Sequence, residues 1–149
     1  MNETMLRQST LARAITLAAA LGIVVGCASM SQPMSGQQIV LSGSNEVPPV
    51  TTPASGTGTV TIKEDRSVSA NITVTGMTAT ASHIHEGAAG ANGPVIVPFT
   101  KTGDNTFAAP EGAKLTESQY ASYKAGNLYV NVHSAKNPGG EVRAQLKGN

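Results

Sequence analysis

The chain has 149 residues and a formal net charge of +1, with 40% hydrophobic and 13% charged residues. This length leaves room for one domain, and this composition excludes a disordered chain. Nucleic-acid binding is also excluded, because the lysines are scattered along the chain with no aromatic platform between them.

The first 26 residues have the pattern of a secretory signal peptide. The apolar run at residues 14–25 is shorter than the roughly 20 residues that a membrane-spanning helix needs. Arg7 and Arg13 precede this run, and positive charge in front of a short apolar stretch is typical of an export signal. We therefore leave residues 1–26 out of the fold and expect an exported protein.

Residues 24–27, Val-Val-Gly-Cys, resemble a lipobox, in which a small residue precedes the cysteine whose thiol takes a diacylglycerol. The commonest lipobox has Leu three positions and Ala or Ser two positions before that cysteine, so cleavage without lipid attachment is the alternative. We expect Cys27 to be the lipid-anchored N-terminus of the mature chain. The anchor would hold the protein on the periplasmic side of an outer membrane or on the cell surface.

Residues 27–38 are small, polar and without periodicity, which indicates a flexible tether before a domain at residues 39–149. In that domain, short segments alternate β-branched or apolar residues with polar ones, and Gly, Pro or Asn turns separate them. The predicted strands are 39–41, 59–63, 68–74, 81–85, 95–98, 128–133 and 141–146. So many short strands predict a mostly β fold, an antiparallel sandwich or barrel.

One short helix is expected after Leu115. Thr116 and Gln119 have capping-box spacing, in which the threonine hydroxyl accepts from the Gln119 amide while the Gln119 side chain reaches back. Gly126 can end the helix in the left-handed conformation. We assign this helix no function beyond connection.

The three histidines of the chain all lie in two strand-like motifs, Ser-His-Ile-His-Glu at 82–86 and Tyr-Val-Asn-Val-His at 129–133. Side chains alternate faces along a strand, so His83 and His85 point the same way. If the two strands lie near each other, His133 can join them, and three neutral imidazoles converge on one cation with a position left for water or substrate. The sequence therefore predicts a metal site.

Imidazole nitrogen suits copper, zinc, iron and nickel, and the Irving–Williams order favours Cu(II) in an exported protein, with zinc as the alternative. Glu86 and Asn131 are candidates to fix a ring by accepting its second N–H. Arg143 is expected on the outer side of the last strand, where it either steers an anion towards the cation or pairs with a carboxylate. The glycine-rich residues 87–94 either bring backbone close to the site or turn the chain, and turning is favoured.

An alternative for the histidines is an ordinary hydrogen-bond network on a polar face, because histidine is often satisfied by such partners. The sequence has no nucleophile with a base at recognisable spacing. It also has no phosphate-binding glycine loop followed by Lys and Ser or Thr. Hydrolase and kinase functions are therefore not supported.

Three separated motifs resemble the CHRD domain, the module first described in chordin, and they occur in the right order. They are LSGSNEVPPVTTPASGTGTVTI at 41–62, ASHIHEGAAGANGPVIVPF at 81–99 and GNLYVNVHSAKNPGGEVRAQL at 126–146. The resemblance runs from about residue 39 to 146. It implies the fold rather than the function, since CHRD domains in the animal protein accompany modules that bind growth factors and bacterial members are usually exported proteins of undefined role.

Residues 83–86 and the glycine-rich turn after them are also similar to the first copper-ligand strand of copper/zinc superoxide dismutases. This similarity implies a Greek-key β-sandwich and lets His133 match a later copper ligand. The chain has no further histidine to bridge to zinc, no disulfide and no evident electrostatic loop. These differences argue against dismutation.

We therefore expect a lipid-anchored, Greek-key-like β-sandwich that holds one metal ion, copper before zinc, for metal handling or minor redox chemistry. Two alternatives stay open. One is a metal-free module that binds or adheres to an unknown protein of the cell envelope, and the other is an enzyme of the superoxide dismutase type. A non-enzymatic role is favoured over catalysis.

Overall fold

A computed structural model describes residues 36–148, and these residues form one antiparallel sheet of nine strands and one α-helix. The predicted signal peptide and Cys27 lie outside the described residues. The strands are β1 (Gln37–Ser42), β2 (Ser55–Ile62), β3 (Val68–Thr75), β4 (Ala79–Glu86), β5 (Val95–Pro98), β6 (Thr100–Gly103), β7 (Thr106–Ala108), β8 (Leu128–Ser134) and β9 (Val142–Gln145). A short 3-10 turn, Gly43–Asn45, follows β1, and the helix α1 is Glu117–Lys124. The described residues contain no helix of the length and apolarity needed to cross a membrane.

The strands form because their apolar residues recur at every second position. In β3 the burial alternates without a break, so Val68, Ile72 and Val74 face the interior while Thr73 and Thr75 face solvent. This period of two matches the pleat of a strand and buries one face of the sheet. The inward side chains make a core of small aliphatic residues with few aromatics, among them Leu41, Ile62, Ile84, Phe107, Leu128, Val130, Val132 and Leu146.

The sheet is nearly closed into a barrel. Its strand order is β5-β4-β8-β9-β1-β2-β3-β7-β6, so the two outermost strands, β5 and β6, are consecutive in the chain. Only Phe99 separates them, and its amide donates to the carbonyl oxygen of Ser82 on β4 at 3.0 Å. A second contact joins β6 to β4, because the Lys101 ammonium donates to the carbonyl oxygen of Ala79 at 2.8 Å. The predicted mostly β, barrel-like or sandwich-like architecture is therefore confirmed.

The predicted helix is also present, with the cap that the sequence indicated. The Gln119 amide donates to the Thr116 hydroxyl at 3.2 Å, and the Thr116 amide donates to the Gln119 side-chain oxygen at 2.9 Å. Gly126 follows the helix with a φ of 75°, and its amide donates to the Tyr123 carbonyl oxygen. Tyr123 is buried and packs the helix onto the core.

Several strand boundaries and one hairpin differ from the sequence interpretation. Strand β1 begins at Gln37, inside the segment interpreted as a tether, because it pairs along its whole length with β2. The hairpin of β6 and β7 was not predicted. Every residue of β6 is exposed, so its sequence Thr-Lys-Thr-Gly has no alternation of apolar and polar residues from which a strand could be recognised.

Candidate metal centre

The three histidines lie on two neighbouring antiparallel strands. His83 and His85 belong to β4 and His133 belongs to β8, and the register pairs His133 with Ala81. Ile84 lies between the first two histidines and is fully buried in the core, so the histidines project from the opposite, outer face of the sheet. The strand pairing therefore brings together side chains that are 50 residues apart in the chain.

The rings come together as the sequence predicted. The Nδ1 atom of His83 lies 2.9 Å from the Nε2 atom of His133. The ring centroid of His85 is 5.5 Å from that of His83 and 6.0 Å from that of His133. One nitrogen of each ring lies within 4.8 Å of the others. Three imidazole nitrogens are thus grouped closely enough to be candidate ligands of one ion.

Backbone carbonyl groups determine which ring nitrogens carry hydrogen. His85 Nδ1 lies 2.9 Å from the carbonyl oxygen of Gly93, and His133 Nδ1 lies 2.9 Å from that of Pro138. A carbonyl oxygen can only accept, so Nδ1 is the protonated nitrogen in both rings and Nε2 keeps its lone pair when the ring is neutral. His133 Nε2 accepts from His83. His85 Nε2 is buried and has no hydrogen-bond partner among residues 36–148.

Burial keeps the rings of His83 and His133 neutral. Burial, reinforced by the neighbouring His133 and His85, lowers the pKa of His83 to about 4. Burial also lowers the pKa of His133, against the opposing effect of its hydrogen bond to the Pro138 carbonyl. Removing a group from water disfavours its charged form. At neutral pH both rings are therefore uncharged, and a cation that binds His133 Nε2 must displace the hydrogen bond from His83 Nδ1–H.

The separations are close to those that one ion requires. Two ligands that are each about 2.0–2.1 Å from the same ion lie at most about 4 Å apart. The widest separation, 4.8 Å, exceeds this limit by less than 1 Å. His83 and His133 are only half-buried, so their side chains can close this gap, and the site is open to solvent on that side.

The two side chains predicted to hold the rings make no hydrogen bond to a histidine in the described part of the chain. The Glu86 carboxylate accepts from the Ser122 hydroxyl at 2.5 Å and so faces the helix α1 rather than the histidines. Asn131 is buried beside the site, where its amide nitrogen is directed to the Gly139 carbonyl oxygen at 3.4 Å. Its Oδ1 atom, which could accept from a ring, has no hydrogen-bond partner among residues 36–148. Ring orientation depends instead on the carbonyls of Gly93 and Pro138, which the sequence interpretation missed. The glycine-rich segment before Pro94 is the one signal in the sequence, and its composition favours a simple turn.

The steering role considered for Arg143 does not fit its position. Arg143 does lie on the outer side of β9, but only 1% of it is exposed, because residues 87–94 cover it. Its guanidinium carbon lies 3.4 Å from the ring centroid of Tyr129. The partners of its nitrogens are neutral oxygens, including the carbonyl oxygen of Ala91 at 2.8 Å and the side-chain oxygen of Asn92 at 3.2 Å. A buried guanidinium held in this way is not available to attract anions from solvent.

Comparison with known proteins places the whole of this sheet in one family. A family model described as the CHRD domain matches residues 37–146, which include all nine strands and the three histidines. No curated protein and no solved structure matches the chain.

Proposed function

The chain belongs to the CHRD-domain family, and we propose that it is an exported, lipid-anchored member that binds one copper ion through His83, His85 and His133. Metal handling, with minor redox chemistry at most, is the role that we assign to it. The open side of the site leaves a coordination position for water or a small ligand.

One observation supports this proposal above the others. His85 and His133 each donate Nδ1–H to a backbone carbonyl, so their Nε2 atoms carry no proton, and that of His133 accepts from His83. Metal-binding histidines almost always have their second ring nitrogen fixed by such an acceptor. The buried Nε2 of His85, which lacks a partner in the described part of the chain, is otherwise a costly arrangement.

Copper is favoured over zinc by chemistry rather than by geometry. Three neutral imidazoles suit both metals, and the Irving–Williams order gives Cu(II) the higher affinity for a nitrogen site. No carboxylate of residues 36–148 takes part in the three-histidine cluster, which therefore lacks the carboxylate ligands that hard cations such as magnesium and calcium prefer.

Export and anchoring are proposed from the N-terminal pattern of the sequence. Arg7, Arg13 and the short apolar run at 14–25 support a signal peptide, and Gly26-Cys27 supports lipid attachment. Mass spectrometry of the mature protein tests both points. A diacylated N-terminal Cys27 is expected, whereas an intact residue 1 or an unmodified cysteine would contradict anchoring.

Metal analysis of tag-free protein tests the site. After loading with copper and removal of excess metal, the wild-type protein is expected to retain about one copper per chain, and His83→Ala and His133→Ala are expected to retain far less. Thr80→Ala changes an exposed residue of the same strand β4 and serves as the control, with binding equal to wild type. Equal and negligible copper and zinc in all four proteins would refute metal binding and favour a metal-free envelope module.

Catalysis of superoxide dismutation is tested separately on the copper-loaded protein. The described cluster contains three histidines, and the chain has no fourth with which to bridge a second metal. We therefore expect copper retention without substantial dismutase activity. A rate well above that of free copper would instead favour an enzyme.

A further inference from the structure

Residues 87–94 and two buried side chains form a connected support behind His85. Tyr129 on β8 is opposite His85 in the sheet register, and the two rings stack with a centroid separation of 4.8 Å and an angle of 7°. Tyr129 is only 2% exposed, yet it lies outside the apolar core cluster. Arg143 covers the Tyr129 ring at 3.4 Å. The tyrosine ring therefore connects the guanidinium to the histidine.

Gly93, in the loop at residues 87–94, forms hydrogen bonds with both His85 and Tyr129. The amide of Gly93 donates to the Tyr129 hydroxyl at 3.1 Å, while the carbonyl of Gly93 accepts from His85 Nδ1 at 2.9 Å. A Cβ atom at Gly93 would lie 1.6 Å from the carbonyl oxygen of Glu86, so only glycine fits there. The position of Gly93 therefore fixes both the rotation of His85 and its tautomer.

Arg143 fastens this loop on the far side of Tyr129. Its nitrogens donate to the carbonyl oxygens of Ala88 and Ala91 and to the side-chain oxygen of Asn92, all within the loop. A buried cation is costly unless its donors are satisfied, and neutral oxygens together with an aromatic face provide this here. These contacts fix Asn92, the residue next to Gly93.

We infer that Arg143 is a positioning residue for the metal centre, which acts through Tyr129 and Gly93 to hold His85 as the Nδ1–H tautomer with Nε2 directed at the metal. This inference deepens the proposed function and rests on it for its effect on metal affinity. Its effect on the tautomer can be measured without metal.

The main experiment compares Arg143→Met with Gln145→Leu. Methionine keeps much of the apolar volume of arginine, and replacing a buried charged group by a well-packed apolar one is often tolerated. Gln145 is the matched control, because it is opposite Tyr129 in the sheet register and also fastens the loop through Gly87, but its amide donates to the carbonyl oxygens of Gly87 and Gly126 and not to Tyr129. The side-chain oxygen of Gln145 also accepts a hydrogen bond from Arg143, at 3.3 Å.

Nitrogen-15 NMR of the metal-free proteins reports the tautomer of His85. In the wild type and in Gln145→Leu, His85 is expected as the Nδ1–H form, whereas in Arg143→Met the Nε2–H form gains population. Copper competition titrations are expected to show affinity at least about 10-fold weaker in Arg143→Met, the usual scale for groups that orient a ligand, and within about 3-fold of wild type in Gln145→Leu. Tyr129→Leu, which removes the connecting ring but none of the loop contacts of Arg143, is expected to behave like Arg143→Met.

Two outcomes overturn the inference. One is a wild-type tautomer in folded Arg143→Met and Tyr129→Leu, and the other is equal losses of affinity in Arg143→Met and Gln145→Leu, which would indicate general loosening of the loop. If the wild-type protein binds no copper but the tautomer changes as expected, the proposed function fails while the positioning by Arg143 stands.

Discussion

The buried carboxyl group of Glu46 should make the stability of this fold depend on pH. Its side chain is 5% exposed, and its Oε1 atom has no hydrogen-bond partner among residues 36–148. Burial raises the pKa of Glu46 from 4.5 to about 7, although nearby Arg143 opposes this change. The folded protein therefore holds the Glu46 proton more tightly than the unfolded chain does.

The sign and the size of the effect follow from proton linkage. Because the pKa of this acid is higher in the folded state, its contribution to stability is fully present below about pH 4.5 and is lost as the pH rises through about 7. At about 1.4 kcal/mol per pH unit, the full loss is about 3 kcal/mol. A penalty of this size is a large part of the stability of a small domain, which is typically about 5–15 kcal/mol.

Urea denaturation at pH 4.5 and pH 8 of wild type and Glu46→Gln measures this difference. The free energy of unfolding of wild type, relative to the variant, is expected to fall by up to about 3 kcal/mol between the two pH values. Comparing the two proteins cancels the contribution of the histidines, which they share. Glu64→Gln, an exposed substitution in the β2–β3 turn, is the control and should run parallel to wild type. Parallel curves for Glu46→Gln as well would refute the reasoning.

Three further outcomes are expected. Gly93→Ala should destabilise the fold and abolish copper retention, because the added Cβ would lie 1.6 Å from the Glu86 carbonyl oxygen; near-normal copper content would show that the loop is not needed. Thr116→Ala should lower the free energy of unfolding by about 1 kcal/mol, because the helix cap is lost. Its copper affinity should equal that of wild type, and a loss of affinity would show that α1 contributes to the site. Copper at about 100 times its dissociation constant should stabilise the folded wild-type protein by about 2.7 kcal/mol and should not stabilise His133→Ala. Thermal melts with and without copper measure this difference. Equal rises in melting temperature in both proteins would indicate that copper binds elsewhere.

The alternation of residue types was sufficient to predict the strands that carry the site. Buried Ile84 and Val132 mark the inner faces of β4 and β8, so the shared outer face of the histidines could be inferred from each motif alone. That β4 and β8 are neighbours could not be derived from alternation. The order in which strands pair depends on long-range contacts, and here the pairing partners are about 50 residues apart.

The surroundings of the histidines were harder to predict, because they depend on backbone groups and on loop packing. Alternation placed Arg143 correctly on the outer side of β9, but it gave no sign that residues 87–94 fold over that side and bury it. In the same way, no alternation of residue types indicates that the carboxyl group of Glu46, two residues before Pro48, is buried. Residue type predicts which groups can bind a metal, while chain packing decides which carbonyls orient them.

The most direct test of the central claim is X-ray absorption spectroscopy of the copper-loaded wild-type protein at one copper per chain. We expect three imidazole nitrogens at about 2.0 Å from the metal and the loss of one of them in His133→Ala. A copper ion with no more than one imidazole ligand, or a spectrum unchanged by His133→Ala, would contradict the assignment of this cluster as a metal centre.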